Sequence, residues 1–126
     1  MDKVLVTGAT GFVGSLLCKR LADFGVELRC LVRSGNPGDN LIGLEYERVE
    51  GGLEDEDILR GAMQGVDGVY HLAALVSFRR RDAAAMQSIN VEGTARVARL
   101  AREAGVQRLL YMSSIAAVGH SRDKQP

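Results

Sequence analysis

Short runs of apolar residues alternate along the chain with longer segments in which apolar positions recur every three or four residues. A parallel sheet with helices on its faces is written this way. Residues 3–7 open the series, apolar without interruption over Val4, Leu5 and Val6, as expected of a strand covered on both faces. A glycine-rich turn leads into a segment where Val13, Leu16, Leu17, Leu21 and Phe24 recur at helical spacing while Lys19, Arg20 and Asp23 fall outside that stripe. This predicts an amphipathic helix ending at Gly25. Strands are expected over 26–32 and 44–49, then a short helix over 55–63 with Glu56 and Asp57 at its positive end, then a strand over 66–73. Residues 83–104 read as one long helix whose inner stripe is Met86, Ile89, Asn90, Gly93, Val97, Leu100, Ala101 and Ala104, and 109–112 as a fifth strand. Right-handed crossovers then imply an α/β, doubly wound parallel sheet of order 3-2-1-4-5, with a ligand crevice beyond the carboxyl ends of strands 1 and 4. The loop-rich interval, 34–40, is too short to separate domains, so residues 1–126 are expected to form one domain.

Composition narrows the functional classes. Of the 126 residues 46% are hydrophobic and 25% charged, with Lys+Arg 16 balanced by Asp+Glu 16, which describes a soluble globular domain. Neutral balance without a basic stripe argues against nucleic acid as a partner. The apolar runs are strand-sized, so no membrane span is expected, and Asp2 and Lys3 lead directly into a strand, so neither is a signal peptide. Cys18 and Cys30 lie in apolar periodic segments without histidines beside them. They read as buried free thiols suited to a reducing, cytoplasmic compartment, and no metal site is expected.

The chemistry begins at Gly8-Ala9-Thr10-Gly11-Phe12-Val13-Gly14, placed after a strand and opening a helix. Each glycine has a task there: a tight turn at Gly8, close backbone approach at Gly11, and helix against strand at Gly14. Backbone N–H groups at the start of the helix, those of Phe12 and Val13 among them, would face a pyrophosphate, where the helix dipole favours negative charge. An ordinary glycine-rich turn is the plainer alternative. The expected domain is thus a dinucleotide-binding, Rossmann-type one.

Four motifs in order resemble the extended short-chain dehydrogenase/reductase family, also called NAD-dependent epimerase/dehydratases. Residues 7–14 are similar to its TGxxGxxG, Val69-Tyr70-His71-Leu72-Ala73-Ala74 to its VxHLAA, and Asn90-Val91-Glu92-Gly93-Thr94 to its NVxGT. Tyr111-Met112-Ser113-Ser114, with Val118 and Gly119 beyond, resembles the SSxxxxG that bears its catalytic Ser or Thr. Residues 74–82, with Phe78, Arg79, Arg80 and Arg81, are especially similar to dihydroflavonol-reductase-like and sugar-epimerase-like members. The resemblance implies hydride transfer at a hydroxyl- or carbonyl-bearing carbon of a small-molecule substrate, such as a nucleotide sugar or a dihydroflavonol-like ketone. It makes Ser114, rather than Ser113, the catalytic candidate, although a serine pair ending a strand also serves merely to satisfy loop backbone.

Other positions carry paired readings. Ala73, Ala74 and Leu75 end strand 4 at the crevice, where small side chains admit a cofactor or simply pack closely. Asn90 shares a stripe with apolar residues, so its amide must be hydrogen-bonded; the resemblance puts it beside the cofactor, and structural bracing is the alternative. His71 reads as a core histidine outside the chemistry. Eighteen residues past Gly14 stands Val32, with Arg33 next and no acid to hold ribose hydroxyls. Arg33 can instead hold a 2′-phosphate, so NADP(H) is favoured over NAD(H), a solvated strand-end arginine being the alternative.

Two departures from the family pattern stand out. In Glu50-Gly51-Gly52-Leu53, Gly52 replaces an Asp that contacts the adenine, before the usual apolar residue, here Leu53. The second is the YxxxK pair: Tyr46, Tyr70 and Tyr111 have no lysine four residues on, so the domain reads as incomplete at its C-terminus and inactive alone. Self-association is expected through the helix between Ala83 and Ala104. The alternative function is a non-catalytic NADP(H)-binding sensor or interaction module. A methyltransferase-like domain using S-adenosylmethionine is disfavoured by the glycine spacing.

Overall fold

The computed structural model describes residues 1–114 and residue 117. Val118 and Gly119, the end of the serine motif, lie outside the described residues. The elements are β1 (Lys3–Thr7), α1 (Phe12–Asp23), β2 (Glu27–Val32), β3 (Glu47–Glu50), α2 (Glu56–Ala62), β4 (Gly68–His71), α3 (Ala83–Met86), α4 (Gly93–Glu103) and β5 (Arg108–Tyr111). The strands form one parallel sheet of order β3-β2-β1-β4-β5, as the crossover rule requires.

The period of two along the strands builds two cores. Leu5, Leu31 and Val69 point to the face covered by α2 and α4, where they meet Leu59, Met63, Val97 and Leu100. Val4, Val6, Leu28, Cys30 and Val32 point to the opposite face, against Cys18 of α1 and against Leu41. Arg29 falls in the first set yet is buried, and its guanidinium donates to the carbonyls of Ala62 (2.7 Å) and Gln64 (2.6 Å) at the end of α2 while pairing with Glu47 at 2.9 Å. It caps a helix C-terminus, where cations are favoured.

Three expectations need correction. The apolar stripe assigned to α1 is only in part its buried face: Val13, Leu16 and Phe24 are 51%, 49% and 75% exposed, Leu17 and Leu21 are half-buried with Leu21 packed against the core, and the helix fully buries Gly14, Ser15 and Cys18. Small residues lie inward at the start of the helix because it sits close on the turn after β1, where Gly14 meets Gly8. The third strand starts at Glu47 rather than 44, since the Leu44 N–H is used in a turn to the Leu41 carbonyl (3.1 Å). The long helix is not uniformly α: Gln87–Glu92 forms a π-helical stretch between α3 and α4, and Ala104, expected on the inner stripe, is exposed. In β5 all four residues are exposed, Leu109 and Leu110 included.

Candidate functional site

The carboxyl ends of β1 to β4 open into a crevice of about 320 Å³, lined by Gly8, Thr10 and Gly11 after β1, by Leu31, Arg33 and Asn36 at and after the end of β2, and by Gly51, Gly52 and Leu53 after β3. Leu72, Ala73, Ala74 and Leu75 after β4, with Ile89 from the π-helical stretch, close the other side.

The three glycines hold this geometry in different ways. Gly8 has a φ of +74°, and a Cβ there would lie 2.7 Å from the Ala73 nitrogen, so β1 and the end of β4 meet backbone to backbone. A Cβ on Gly14 would collide with the Gly8 carbonyl, which sets how closely α1 approaches the turn. At Gly11 an added Cβ would have only the Gly8 carbonyl oxygen at 3.4 Å, so the space left there belongs to the crevice. Gly11 caps α1 without a side-chain bond, no acid stands in the first turn, and no described residue accepts from the N–H groups of Phe12 and Val13. Such a terminus suits an anion. A pyrophosphate therefore fits the residues present: backbone donors and dipole on one side, and a missing side chain where it must pass.

The β4 wall is fixed by side chains. The Ala73 N–H donates to Thr7 Oγ1 at 3.2 Å, and that hydroxyl lies 2.6 Å from His71 Nδ1. His71 Nε2 is 2.9 Å from Thr94 Oγ1, so a neutral ring accepting from Thr7 and donating to Thr94 satisfies every atom. His71 is 1% exposed, stacks on Tyr111 at 5.6 Å, and burial pushes its pKa down to about 4. Further along, Asn90 grips the backbone of Leu75 twice, accepting from its N–H and donating to its carbonyl, both at 2.8 Å. Its amide thus braces the loop after β4, and the π-helical stretch is the local distortion that carries this residue.

The opposite wall is made by loops. Asn40 donates to the Thr10 carbonyl at 2.7 Å, and Asn36 reaches Thr10 Oγ1 at 3.4 Å. Arg33 lines the crevice and makes no ion pair with a described residue, whereas Arg48 is engaged by Glu50 at 3.0 Å. The Gly52 N–H is taken by Asp55 at 2.8 Å, so Gly52 offers surface rather than a donor. Leu53 is buried in the floor, its carbonyl held by Arg96 at 2.7 Å and its side chain 3.1 Å from where a Cβ on Gly93 would be.

Of the site residues read from the sequence, Gly8, Gly11, Arg33, Gly52, Leu53, Ala73, Ala74 and Leu75 thus gather in one crevice. Phe12 and Val13 contribute only backbone and turn their side chains to solvent, and Gly14 sets a spacing. Ser114 is exposed, two residues past the Met112 N–H that donates to the His71 carbonyl at 3.0 Å, on the same carboxyl edge of the sheet. Sequence reasoning missed Thr10, Asn36 and Ile89. Asn36 lay in an interval read only as a connection, while Ile89 was placed on the inner stripe without its reach to the crevice being drawn. Among the described residues no cluster of His, Cys, Asp and Glu could hold a metal, and no helix is long and apolar enough to cross a membrane.

Comparison with known proteins agrees with this fold. A putative dihydroflavonol 4-reductase of Synechocystis is 42% identical over 124 residues, a match covering 98% of this chain and 36% of the relative. The crystal structure of gox2253 superposes with a TM-score of 0.87 at 42% identity, covering 100% of this chain and 38% of the other. That of a short-chain dehydrogenase/reductase superfamily protein from Agrobacterium tumefaciens with bound NAD gives 0.78 at 38% identity, covering 89% and 32%. The chain thus spans about a third of the length of these proteins. The family model of NAD dependent epimerase/dehydratases matches residues 4–126, and the chain belongs to that family.

Proposed function

We propose that the chain is the cofactor-binding part of an oxidoreductase of the epimerase, dehydratase or reductase type, and that it takes NADP(H) in preference to NAD(H). The observation that carries this is the crevice itself: Gly11 leaves room for a pyrophosphate at the bare amino end of α1, and the Arg33 guanidinium, with no ion-pair partner among the described residues, stands at the end of β2. When bound, a nicotinamide cofactor supplies hydride chemistry at a carbon bearing a hydroxyl or carbonyl, in this reading of a nucleotide sugar or a dihydroflavonol-like ketone. The chain's part is to hold and orient. Gly8, Gly11 and the first-turn N–H groups receive the phosphates. Ala73, Ala74 and Leu75, braced by Thr7 and Asn90, give a backbone wall for the ring system. The Ser114 hydroxyl donates to the substrate oxygen.

Arg33 meets a 2′-phosphate through charged hydrogen bonds of about 1.5 to 3 kcal/mol, roughly ten- to hundredfold in affinity. Titration calorimetry with NADPH and NADH should show that difference, and Arg33→Glu should abolish it. Equal affinities in the unaltered chain would refute the preference. No tyrosine in these 126 residues has a lysine four positions on, so the Tyr and Lys pair that the family resemblance assigns to proton transfer is not among them. The expected result is therefore binding without turnover of ketone or nucleotide-sugar substrates; turnover abolished by Ser114→Ala would overturn that part.

A further inference from the structure

A dinucleotide lying along the carboxyl edge of the sheet, with its pyrophosphate at Gly11 and its ribose at the end of β2, brings its base to the end of β3, against Gly51, Gly52 and Leu53. The side chain of Glu54 folds back against Gly52, beside this spot. A Cβ added at Gly52 would collide with both Glu54 carboxylate oxygens and would lie 2.6 Å from its Cδ, so the missing side chain at position 52 is what gives the carboxylate its place. The neighbouring acids are committed elsewhere: Glu50 to Arg48 at 3.0 Å, and Asp55 to the Gly52 N–H at 2.8 Å. The Glu54 carboxylate makes no hydrogen bond or ion pair with any described residue.

A carboxylate can only accept hydrogen bonds. Adenine presents an exocyclic amine, a donor; hypoxanthine presents a carbonyl at the same place, which a carboxylate repels. We propose that Glu54 is the base-selecting residue of the crevice, its carboxylate accepting the exocyclic N–H of adenine from a position that Gly52 leaves open. This rests on the dinucleotide reading above.

The test measures dissociation constants of NADPH and of its hypoxanthine analogue for the unaltered chain, Glu54→Ala, and Glu54→Ala combined with Gly52→Asp, with circular dichroism to check the fold. The unaltered chain should prefer NADPH by about tenfold or more, as a charge-assisted hydrogen bond gives. Glu54→Ala should lose that preference while still binding both. Gly52 is not in the left-handed region, so an Asp is admissible there once the Glu54 carboxylate is gone, and the double variant should recover the preference. Equal binding of the two cofactors by the unaltered chain, or a preference that survives Glu54→Ala, overturns the assignment. Failure to bind either cofactor is a different result, which removes the dinucleotide reading and this inference with it.

Discussion

Acid should weaken this fold through one buried ring. His71 is held neutral between Thr7 Oγ1 and Thr94 Oγ1, and burial lowers its pKa from the ordinary imidazole value of about 6.5 to about 4. A second ring proton would have to sit on Nδ1, so the Thr7 hydroxyl would have to turn from donor to acceptor there, and a charge would be buried. The unfolded chain takes up its proton near pH 6.5 and the folded chain only near pH 4. Stability from this group is therefore complete above pH 6.5 and is lost as pH falls towards 4. A gap of about 2.5 pH units at about 1.36 kcal/mol each amounts to about 3 kcal/mol. The carboxylates of Glu47, Glu56, Asp67 and Glu103 are held below their ordinary range by Arg29, Arg99, backbone N–H groups and Arg60 respectively. Their contributions begin to fall as pH nears the ordinary carboxylate range around 4.5, equally in a chain without the imidazole, so the difference between two such chains reports His71. Urea denaturation at pH 7.5 and 4.5, in a His120→Gln background that removes the other histidine, should show a loss larger by about 2 to 3 kcal/mol than in the same chain carrying His71→Gln. Equal losses in the two chains would refute the argument.

Two further substitutions separate binding from folding. Gly11→Val adds a side chain that only the crevice receives, so the circular dichroism and melting temperature should stay close to the parent while cofactor affinity falls by at least about a hundredfold; unchanged affinity would place the phosphate elsewhere. Arg29→Met removes the cap from the buried Ala62 carbonyl and the part-buried Gln64 carbonyl and should cost about 3 kcal/mol in urea denaturation, because charged hydrogen bonds, one of them to a buried acceptor, are lost without replacement. A cost below about 1 kcal/mol would mean that water satisfies those carbonyls.

The order of elements, the sheet topology and the crevice were legible because each rests on a local signal: uninterrupted apolar strands, glycine at a turn, right-handed crossover. What was not legible depended on distance between chains rather than on period. The apolar positions of α1 have helical spacing, and Leu21 packs inward, yet Val13 and Leu16 lie outward, since the first turns of the helix are pressed on the turn after β1 as closely as Gly14 is to Gly8 and admit only small residues there. Arg29 is buried in a strand that pattern alone reads as apolar, and its partners are 33 and 35 residues away in sequence. The π-helical stretch has no composition of its own. It accompanies the reach of Asn90 to Leu75, a tertiary bond that the sequence marks only as a polar residue on an inner stripe.

These bonds divide the crevice into two kinds of wall. On the β4 side, Gly8 against Ala73, Thr7 against Ala73 and Asn90 against Leu75 tie the ligand-facing backbone to the core, so a substitution there disturbs packing before it disturbs binding. On the β2 and β3 side the candidate selecting groups, Arg33 and Glu54, are exposed side chains with no partner among the described residues. On the proposed reading, changing either would remove a contact to the cofactor while leaving every core contact in place. Cofactor selectivity would then be expected to shift by single substitutions at the β2 and β3 ends without loss of stability, whereas the β4 wall cannot change without the fold changing with it.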